Sequence, residues 1–383
     1  MTETISVAEF RERQQSEDLV VVDTRGEASF EGWRLPDSVN YPYKPGQAVE
    51  KAEFQSATGA NEDDAIVTIC AIGRSSHAFA DELTKLGYDD VAVLDGGMAA
   101  YSGAYDVTTV PTTDDSVEVI QLQRRAKGCL GYVVACTETK QAAVVDATRQ
   151  TEEFREAAEG AGYEVVAVFD THVHADHVSG GRALADKLGV PYYLGERAAE
   201  DREVGYEYEP LARNEVVEVG EVDLKALYTP GHTSESVSYL VNAAAVLTGD
   251  TLFVESVGRT ELQFSGEEAV GGAESLYDTL HGTLLAEPES VTVCPGHFPV
   301  ADDGSTPITP GEPVAATVGE RRQSPGLLQD DRDEFVAEIT DDLPEKPPNY
   351  ERVIAVNTGR EELEDEKEAV ELELGPNRCA AEE

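Results

Sequence analysis

The sequence predicts an α/β protein of two domains, and three observations lead to this prediction. Its 383 residues exceed the usual length of a single domain. Hydrophobic residues make up 40% of the chain, which is enough to build buried cores. Short apolar runs alternate with amphipathic segments on both sides of a polar stretch, residues 102–116, which lacks periodicity and indicates a linker.

The first predicted domain comprises residues 1–105 and contains a small parallel sheet. Its expected strands are LVVVD (19–23), AIVTICA (65–71) and VAVLD (91–95), and its expected helices are VAEFRERQQ (7–15) and SSHAFADELTKLGY (75–88). Strands that alternate with helices in this way favour parallel pairing, because each helix returns the chain to the same end of the sheet.

The second predicted domain is also α/β and comprises residues 116–310, after a linker at 106–115. Apolar runs predict strands at 117–123, 130–136, 141–146 and 164–170, with a helix at 151–162. Residues 311–383 are rich in proline and acidic side chains and form a predicted C-terminal extension. Within it, KPPNYERVIAVN is expected to be extended.

The charge balance is strongly acidic. Asp and Glu number 76 against 29 Lys and Arg, for a formal net charge of −47. The acidic residues are spread along the chain, which favours adaptation to concentrated salt, whereas an acidic surface for a basic partner would be a localised block. A surface of this sign repels phosphate backbones, so nucleic-acid partners are not expected.

The sequence contains no signal for a membrane or for export. No run of 18 apolar residues is present, so a transmembrane helix is not expected. The first residues, MTETISVAEF, lack a basic segment followed by an apolar one. A soluble cytoplasmic protein is expected, and a homo-oligomer is left open.

Among the five cysteines, Cys70 has the context that is typical of reactivity. The odd number and the lack of a C-x-x-C pair argue against a disulfide framework or a zinc ribbon. Cys70 follows a buried strand and precedes a helix, where backbone N–H groups favour a thiolate or persulfide. Gly73 permits the tight turn, and Arg74 is a candidate substrate-binding cation. The remaining cysteines are expected to be three buried strand residues and one tail residue: Cys129, Cys136, Cys294 and Cys379.

Residues 5–105 resemble the rhodanese family at several points in the expected order. The matching segments are DTR (23–25), LPDSVN (35–40), CAIGRS (70–75) and LDGGM (94–98). The resemblance implies a rhodanese fold in which Cys70 is catalytic and carries a sulfane sulfur. The family often has arginine at the sixth loop position, where this chain has Ser75 after Arg74. The alternative is a rhodanese fold that serves as a docking module.

Histidines cluster in three short turns of the second domain, each after a strand-like run. The candidate metal ligands in these turns and at the end of LTGD are His172, His174, Asp176, His177, His232, Asp250 and His297. The H-x-H-x-D-H spacing presents its first two ligands to one ion and its last two to a neighbouring ion. His232 would complete the first set and His297 the second, with Asp250 as a bridge.

This constellation resembles the metallo-β-lactamase superfamily over about residues 116–310, which implies an αββα fold. Asp146 matches the buried aspartate of the first family motif and is implied to support the ligands without binding metal. THVHADHVSG (171–180) and SVGRTEL (256–262) resemble the persulfide dioxygenase branch more than the glyoxalase II hydrolases. Glu261 stands where that branch usually has aspartate.

In the dioxygenase branch one iron is held by the residues that match His172, His232 and Asp250. Two histidines and one carboxylate with open positions suit Fe(II). The residues that match the remaining ligands would then support this site or form a vacant second site; they are His174, Asp176, His177 and His297. Asp176 is also a candidate catalytic carboxylate. Arg259 is a candidate anchor for substrate carboxylates.

The sequence therefore predicts an iron-dependent persulfide dioxygenase with one Fe(II) per metal domain, coupled to a rhodanese sulfurtransferase. Its substrate would be a small-molecule thiol persulfide. The first alternative is a glyoxalase II-like hydroxyacylglutathione thioester hydrolase with two Zn(II) ions on the seven ligands. The second is a sulfur-carrier or interaction protein, in which Cys70 passes sulfur to a partner.

Overall fold

A computed structural model describes residues 2–260, 263–264, 267–301, 303–309, 311–324, 326–341, 346 and 349–373. Glu261 and Cys379, which the sequence analysis names, lie outside these residues. The chain divides into two compact units. The first comprises Met1–Ala104, Arg124–Lys127 and Val300–Pro307, and the second comprises Tyr105–Gln123, Gly128–Pro299 and Ile308–Glu383. The predicted α/β fold class is confirmed.

The first unit contains a parallel sheet whose strand order is β1-β5-β4-β2-β3. These strands are β1 Glu3–Ile5, β2 Leu19–Asp23, β3 Val39–Asn40, β4 Ala65–Ile69 and β5 Val91–Leu94. The helices are α1 Val7–Ser16, α2 Glu27–Gly32, α3 Lys51–Thr58, α4 Arg74–Lys85 and α5 Gly97–Ser102. The three strands and two helices predicted here are confirmed, with ends that differ by up to three residues.

Two apolar clusters of the first unit cover the two faces of its sheet. Alternate residues of a strand point to opposite faces, so Val67 lies in one cluster and Ile66 in the other. Helix α4 buries Phe79 and Leu83 against the second cluster. The sheet is therefore covered on both sides, as parallel sheets usually are.

The second unit contains two sheets, ordered β12-β11-β10-β9-β8-β7-β6 and β13-β14-β15-β16-β17-β18. The first consists of β6 Tyr105–Val110, β7 Val117–Arg124, β8 Cys129–Cys136, β9 Gln141–Val145, β10 Glu164–Phe169, β11 Tyr192–Gly195 and β12 Glu209–Leu211. The second consists of β13 Val216–Val219, β14 Val222–Tyr228, β15 Val237–Val241, β16 Ala245–Gly249, β17 Thr292–Pro295 and β18 Ala316–Thr317.

The second unit also contains α-helices. They are α6 Thr151–Gly160, α7 Gly181–Leu188, α8 Ala198–Asp201, α9 Glu267–Thr279, α10 Val318–Gln323, α11 Arg332–Asp341, α12 Tyr350–Asn357 and α13 Glu366–Leu372. Phe154 of α6 joins the core of the first sheet, and Leu276 of α9 joins that of the second. The ring of Phe169 lies 5.2 Å from that of Tyr239, between the sheets. The αββα arrangement is therefore confirmed.

Two segments differ from the sequence reading. Residues 105–110, in the segment predicted as a linker, form the edge strand β6, where tyrosine, valine and threonine suit a half-exposed strand. The predicted extended conformation of KPPNYERVIAVN is wrong, because Tyr350–Asn357 form α12. Val353 and Asn357 are buried on one face of that helix, and the prolines precede it, where they do not interrupt it. Among the described residues, no helix combines the length and apolar character needed to cross a bilayer.

Candidate metal centre

The ligand-type residues of the second unit lie where strands end. His172, His174, Asp176 and His177 follow β10, His232 follows β14, Asp250 follows β16 and His297 follows β17. Strands β16 and β17 are parallel, so their carboxyl ends reach the same edge of the sheet. Each of the seven side chains belongs to a residue that is at most 4% exposed. The fold therefore gathers residues from distant parts of the sequence into one buried region.

His172, His232 and Asp250 form a first group, here called the 2-His-1-carboxylate site. Oδ2 of Asp250 lies 3.7 Å from Nε2 of each histidine. Nδ1 of His172 lies 2.9 Å from the Thr171 hydroxyl, and Nδ1 of His232 lies 2.6 Å from the carbonyl oxygen of Arg259. Among the described residues, Nε2 of His172 and Oδ2 of Asp250 have no hydrogen-bond partner. Three fixed donor atoms that face one another in a buried space fit one divalent cation.

His297 connects Asp250 to the second carboxylate of the region. Its Nδ1 lies 2.5 Å from Oδ1 of Asp250, and its Nε2 lies 3.0 Å from Oδ2 of Asp176. Burial lowers the pKa of His297, but the two carboxylates outweigh it and hold that pKa well above its ordinary value. His297 also lowers the pKa of Asp250, against the effect of burial. The two carboxylates therefore favour the protonated form of His297.

Cys129 is a neighbour of these ligands that sequence reasoning missed. Its Sγ lies 3.6 Å from Oδ2 of Asp176 and 3.8 Å from Nδ1 of His177. Burial raises the pKa of this thiol, but the charges of His177 and His297 and a hydrogen bond with His177 together outweigh it and lower the pKa to about 7. The expectation of a buried cysteine in a strand is correct. In the sequence, the only indication of a further role for Cys129 is that it lies between Gly128 and Gly131, at the start of a predicted strand.

His174 lies beside His172, with ring centroids 4.3 Å apart, but its ligand atoms group with the carboxylates of Asp146 and Asp170. Its Nε2 lies 3.3 Å from Oδ1 of Asp146, and Asp170 belongs to the same buried group. Asp146 also accepts a hydrogen bond from the Thr171 N–H at 2.7 Å. Burial raises the pKa of Asp170 to about 6. His174 therefore contacts the carboxylates that hold the ligand loop, and Asp170 is a second residue that sequence reasoning missed.

The C-terminal part of the second unit holds the same loop. Nδ2 of Asn357 donates to the carbonyl oxygens of His174 and His177 at 2.9 and 2.8 Å. Its Oδ1 accepts from the N–H of Ser179 at 2.9 Å. Because α12 was predicted as an extended segment, sequence reasoning had no reason to connect Asn357 with the histidines.

Glycines allow the turns around Asp250 to approach closely. A Cβ atom on Gly258 would lie 1.7 Å from the carbonyl oxygen of Asp250, and one on Gly296 would lie 2.5 Å from its Oδ1. Both distances are far shorter than any van der Waals contact. Arg259, which follows the first of these glycines, is only 1% exposed; its proposed contact with substrate stays a prediction.

The Cys70 loop belongs to the first unit and is a separate candidate site. Cys70 is 4% exposed, and its Sγ accepts a hydrogen bond from Oγ of Ser76 at 3.4 Å. Burial raises the pKa of this thiol, but hydrogen bonds from Ser75 and Ser76 outweigh it, so the pKa is lowered. Arg74 is exposed at the first residue of α4. The loop therefore stabilises a thiolate with hydroxyl groups in addition to the helix N-terminus.

Comparison with known proteins gives relatives for each unit. Residues 6–104 match the family model of the rhodanese-like domain. A hydroxyacylglutathione hydrolase of Synechococcus sp. is 30% identical over 215 residues, which are 52% of this chain and 84% of that protein. The probable metallo-hydrolase YqgX of Bacillus subtilis is 32% identical over 159 residues, 37% of this chain and 72% of that protein. The chain covers a smaller share of some other relatives. It spans 51% of a β-lactamase hydrolase-like protein of Xylella fastidiosa.

Two solved structures are similar to a large part of this chain. ETHE1 from Myxococcus xanthus is similar with a TM-score of 0.54 and 26% identity, over 63% of this chain and 98% of that one. A metallo-β-lactamase from Staphylococcus aureus shares the fold, with a TM-score of 0.56 and 24% identity over 64% of this chain and 73% of that one. Residues 125–297 match the model of the metallo-β-lactamase superfamily. The chain thus belongs to the metallo-β-lactamase superfamily and carries a rhodanese-like domain in its N-terminal part.

Proposed function

We propose that the protein is an iron-dependent persulfide dioxygenase that acts on a small-molecule thiol persulfide. One persulfide, one O₂ and one water give one thiol, one sulfite and two protons, and the four electrons that reduce O₂ come from the sulfane sulfur. The observation that carries the proposal is the separate grouping of His172, His232 and Asp250. Fe(II) bound there would supply open positions for O₂ and a thiolate-like sulfur.

The protein groups around this site have three tasks in the proposed reaction. The Thr171 hydroxyl and the Arg259 carbonyl oxygen fix the ring orientations of the two histidines, so that each Nε2 faces Asp250. Burial of the ligands excludes bulk water from the persulfide. The side chain of Arg259 would bind the carboxylate of the thiol carrier, since it follows the glycine that packs against Asp250.

The first unit would transfer sulfane sulfur to the small thiol that carries it, or remove sulfane sulfur from that thiol's persulfide. In this proposal the Cys70 thiolate accepts a sulfur atom from a donor and becomes a persulfide, which a small thiol then cleaves. The lowered pKa of Cys70 and the exposed guanidinium of Arg74 support this role. The sequence resemblance to persulfide dioxygenases and the similarity to ETHE1 support the metal-domain reaction.

The test is O₂ uptake by anaerobically iron-loaded protein with a small-thiol persulfide, in concentrated salt, with sulfite assayed. We expect equal amounts of O₂ consumed and sulfite formed, and loss of both in His232→Ala. His281→Ala removes a histidine outside the ligand set and should retain them. Iron-loaded protein that consumes no O₂ with persulfide would refute the proposal.

A thioester hydrolase is the second candidate. It is favoured by relatives that are named hydroxyacylglutathione hydrolases and by the further ligand-type residues Asp176, His177 and His297 beside the first site. Two Zn(II) ions would then activate water. Thioester turnover by protein with two zinc equivalents, without O₂ uptake by the iron form, would select this function. A sulfur-carrier role would require that neither form turns over.

A further inference from the structure

The turn that follows His232 carries a buried glutamate to which the proposed reaction gives no task. Glu235 is 1% exposed and lies between His232 and the first residue of β15, Val237. Carboxylates are rarely buried unless other groups of the protein bind them, because they lose their contacts with water. The contacts of this carboxylate therefore indicate what it does in the turn.

One carboxylate oxygen of Glu235 binds the backbone directly after His172. Oε1 accepts a hydrogen bond from the N–H of Val173 at 3.0 Å, and this bond is buried. Val173 is itself 3% exposed, so bulk water does not replace Glu235 as its acceptor. A buried N–H that loses its partner is costly. Glu235 thus holds the backbone on one side of His172.

The backbone on the other side of His172 is bound to the same segment. The N–H of Val237 donates to the carbonyl oxygen of Thr171 at 2.9 Å. Two hydrogen bonds, one before and one after His172, therefore attach its loop to residues 235–237. The first of them comes from the backbone of β15 and does not depend on side-chain identity, whereas the second requires the side chain of Glu235.

The bond between Glu235 and Val173 joins the segments of two candidate ligands. It connects positions that are 62 residues apart in the sequence, next to His172 on one side and in the turn of His232 on the other. Nε2 of each histidine lies 3.7 Å from Oδ2 of Asp250. A shift of one backbone segment relative to the other would change the spacing of these nitrogen atoms, which one metal ion must bind together.

Other contacts hold Glu235 in this place. Nε of Arg202, a residue that is 8% exposed, lies 3.8 Å from Oε1 and brings a positive charge to the carboxylate. A Cβ atom on Gly195 would lie 2.7 Å from the carbonyl oxygen of Glu235, so β11 packs directly against this part of the turn. Among the described residues, Oε2 has no hydrogen-bond partner. Oε1 is therefore the oxygen through which Glu235 acts on the loop.

We propose that Glu235 is a positioning residue of the 2-His-1-carboxylate site. By accepting the N–H of Val173, its Oε1 holds His172 at the distance from His232 at which both histidines bind one metal ion. The inference rests on the proposed binding of a metal by these histidines and Asp250, and it does not depend on the reaction that the metal supports.

The test compares the iron affinity of Glu235 variants of the full-length protein, measured anaerobically by chelator competition with one equivalent of Fe(II). Glu235→Gln keeps an oxygen for the N–H of Val173 and should retain the affinity. Glu235→Asp keeps the carboxylate but is one methylene shorter, and Glu235→Leu has no acceptor. Both should weaken binding about 10–100-fold. Unchanged affinity in Glu235→Asp and Glu235→Leu would overturn the inference, and so would a Glu235→Gln protein that binds as weakly as Glu235→Leu.

A spectroscopic measurement separates positioning from a general loss of stability. Nitric oxide added to Fe(II)-loaded protein gives a paramagnetic complex whose electron paramagnetic resonance spectrum reports the arrangement of the ligands. We expect an altered spectrum in Glu235→Asp, an unaltered one in Glu235→Gln, and loss of the signal in His232→Ala, which assigns it to this site. Phe335→Leu is the control, because it removes buried ring atoms that pack against Tyr277. It should lower the melting temperature without changing the spectrum, and an equal change in Phe335→Leu and Glu235→Asp would contradict positioning.

Failure of this inference is distinguishable from failure of the proposed function. Unaltered protein that binds iron but consumes no O₂ with persulfide would refute the dioxygenase and leave the comparison of the Glu235 variants valid. If the unaltered protein binds no Fe(II), the same variants are compared by chelator competition with Zn²⁺, the metal of the thioester hydrolase. Equal zinc affinity of Glu235→Asp and the unaltered protein would then overturn the inference.

Discussion

Asn357, the last residue of helix α12, donates a hydrogen bond from Nδ2 to the carbonyl oxygen of His177 at 2.8 Å. The same amide group binds the carbonyl oxygen of His174. A segment near the C-terminus of the described chain therefore holds the loop that carries four of the candidate metal ligands, although it provides no ligand itself.

Replacing Asn357 should weaken metal binding at a distance. Asn357→Ala leaves buried carbonyl oxygens of His174 and His177 without this donor, at a cost of about 1–3 kcal/mol in unfolding free energy. Loss of such supporting hydrogen bonds typically lowers metal affinity about 10–100-fold. Denaturant unfolding and competitive metal titration measure the two effects. Glu351→Ala, an exposed site on the same helix, should change neither, and equal losses in both variants would contradict this role.

The Thr171 hydroxyl should strengthen metal binding at the 2-His-1-carboxylate site, because it orients His172. Thr171→Val removes the oxygen that lies 2.9 Å from Nδ1 of His172 and should reduce iron affinity about 10–100-fold. Thr171→Ser keeps the oxygen and should retain most of the affinity. Anaerobic Fe(II) titration distinguishes the two variants, and a Thr171→Val protein that binds Fe(II) as tightly as the unaltered protein would contradict this role of the hydroxyl.

The hydroxyl of Ser76 should keep Cys70 reactive near neutral pH. Ser76→Ala removes a hydrogen bond that stabilises the thiolate, so the pKa of Cys70 should rise and its alkylation rate at neutral pH should fall. The pH dependence of alkylation, followed by peptide mass spectrometry, measures this shift. Ser38→Ala, which alters a hydroxyl that binds the carbonyl oxygen of Leu35, is the control. A profile that moves to lower pH would contradict the assignment.

Gly258 should tolerate no side chain. Gly258→Ala places a Cβ 1.7 Å from the carbonyl oxygen of Asp250, so the turn must shift, at a cost of about 1–3 kcal/mol, and Asp250 is displaced from its histidine partners. We expect a lower melting temperature and loss of iron binding. Gly271→Ala meets nothing within 4 Å on the exposed side of helix α9 and should stabilise that helix by about 0.5–1 kcal/mol.

The sequence predicted the strands and indicated most of the candidate ligands because both depend on local pattern. Apolar runs such as VVAVF end at the residues where the structure ends β10, and the histidine turns follow directly. The position of Cys129 depends instead on pairing between β8 and the His297 turn, which joins segments far apart in the chain. No local property of a cysteine in an apolar run reveals such a neighbour.

The neighbours of His174 could not be predicted from the sequence for a different reason. Its spacing from His172 suggests a shared ion, but the buried carboxylates of Asp146 and Asp170 lie beside it. Buried carboxylates require partners, and Nε2 of His174 lies 3.3 Å from Asp146. Asp146 follows β9 and Asp170 follows β10, two neighbouring strands of the first sheet of the second unit. The spacing of the histidine motif does not show that these carboxylates lie beside His174.

The candidate ligands come from turns that follow four different strands, and this arrangement sets the order in which they become available during biosynthesis. His172 leaves the ribosome well before Asp250 and His297, and Asn357 follows later still. A nascent chain therefore cannot assemble the 2-His-1-carboxylate site until the strands of both sheets, as far as β16, have been synthesised. Metal capture by these three residues consequently follows the synthesis of Asp250, and the loop that carries His172 must wait for ligands from the second sheet.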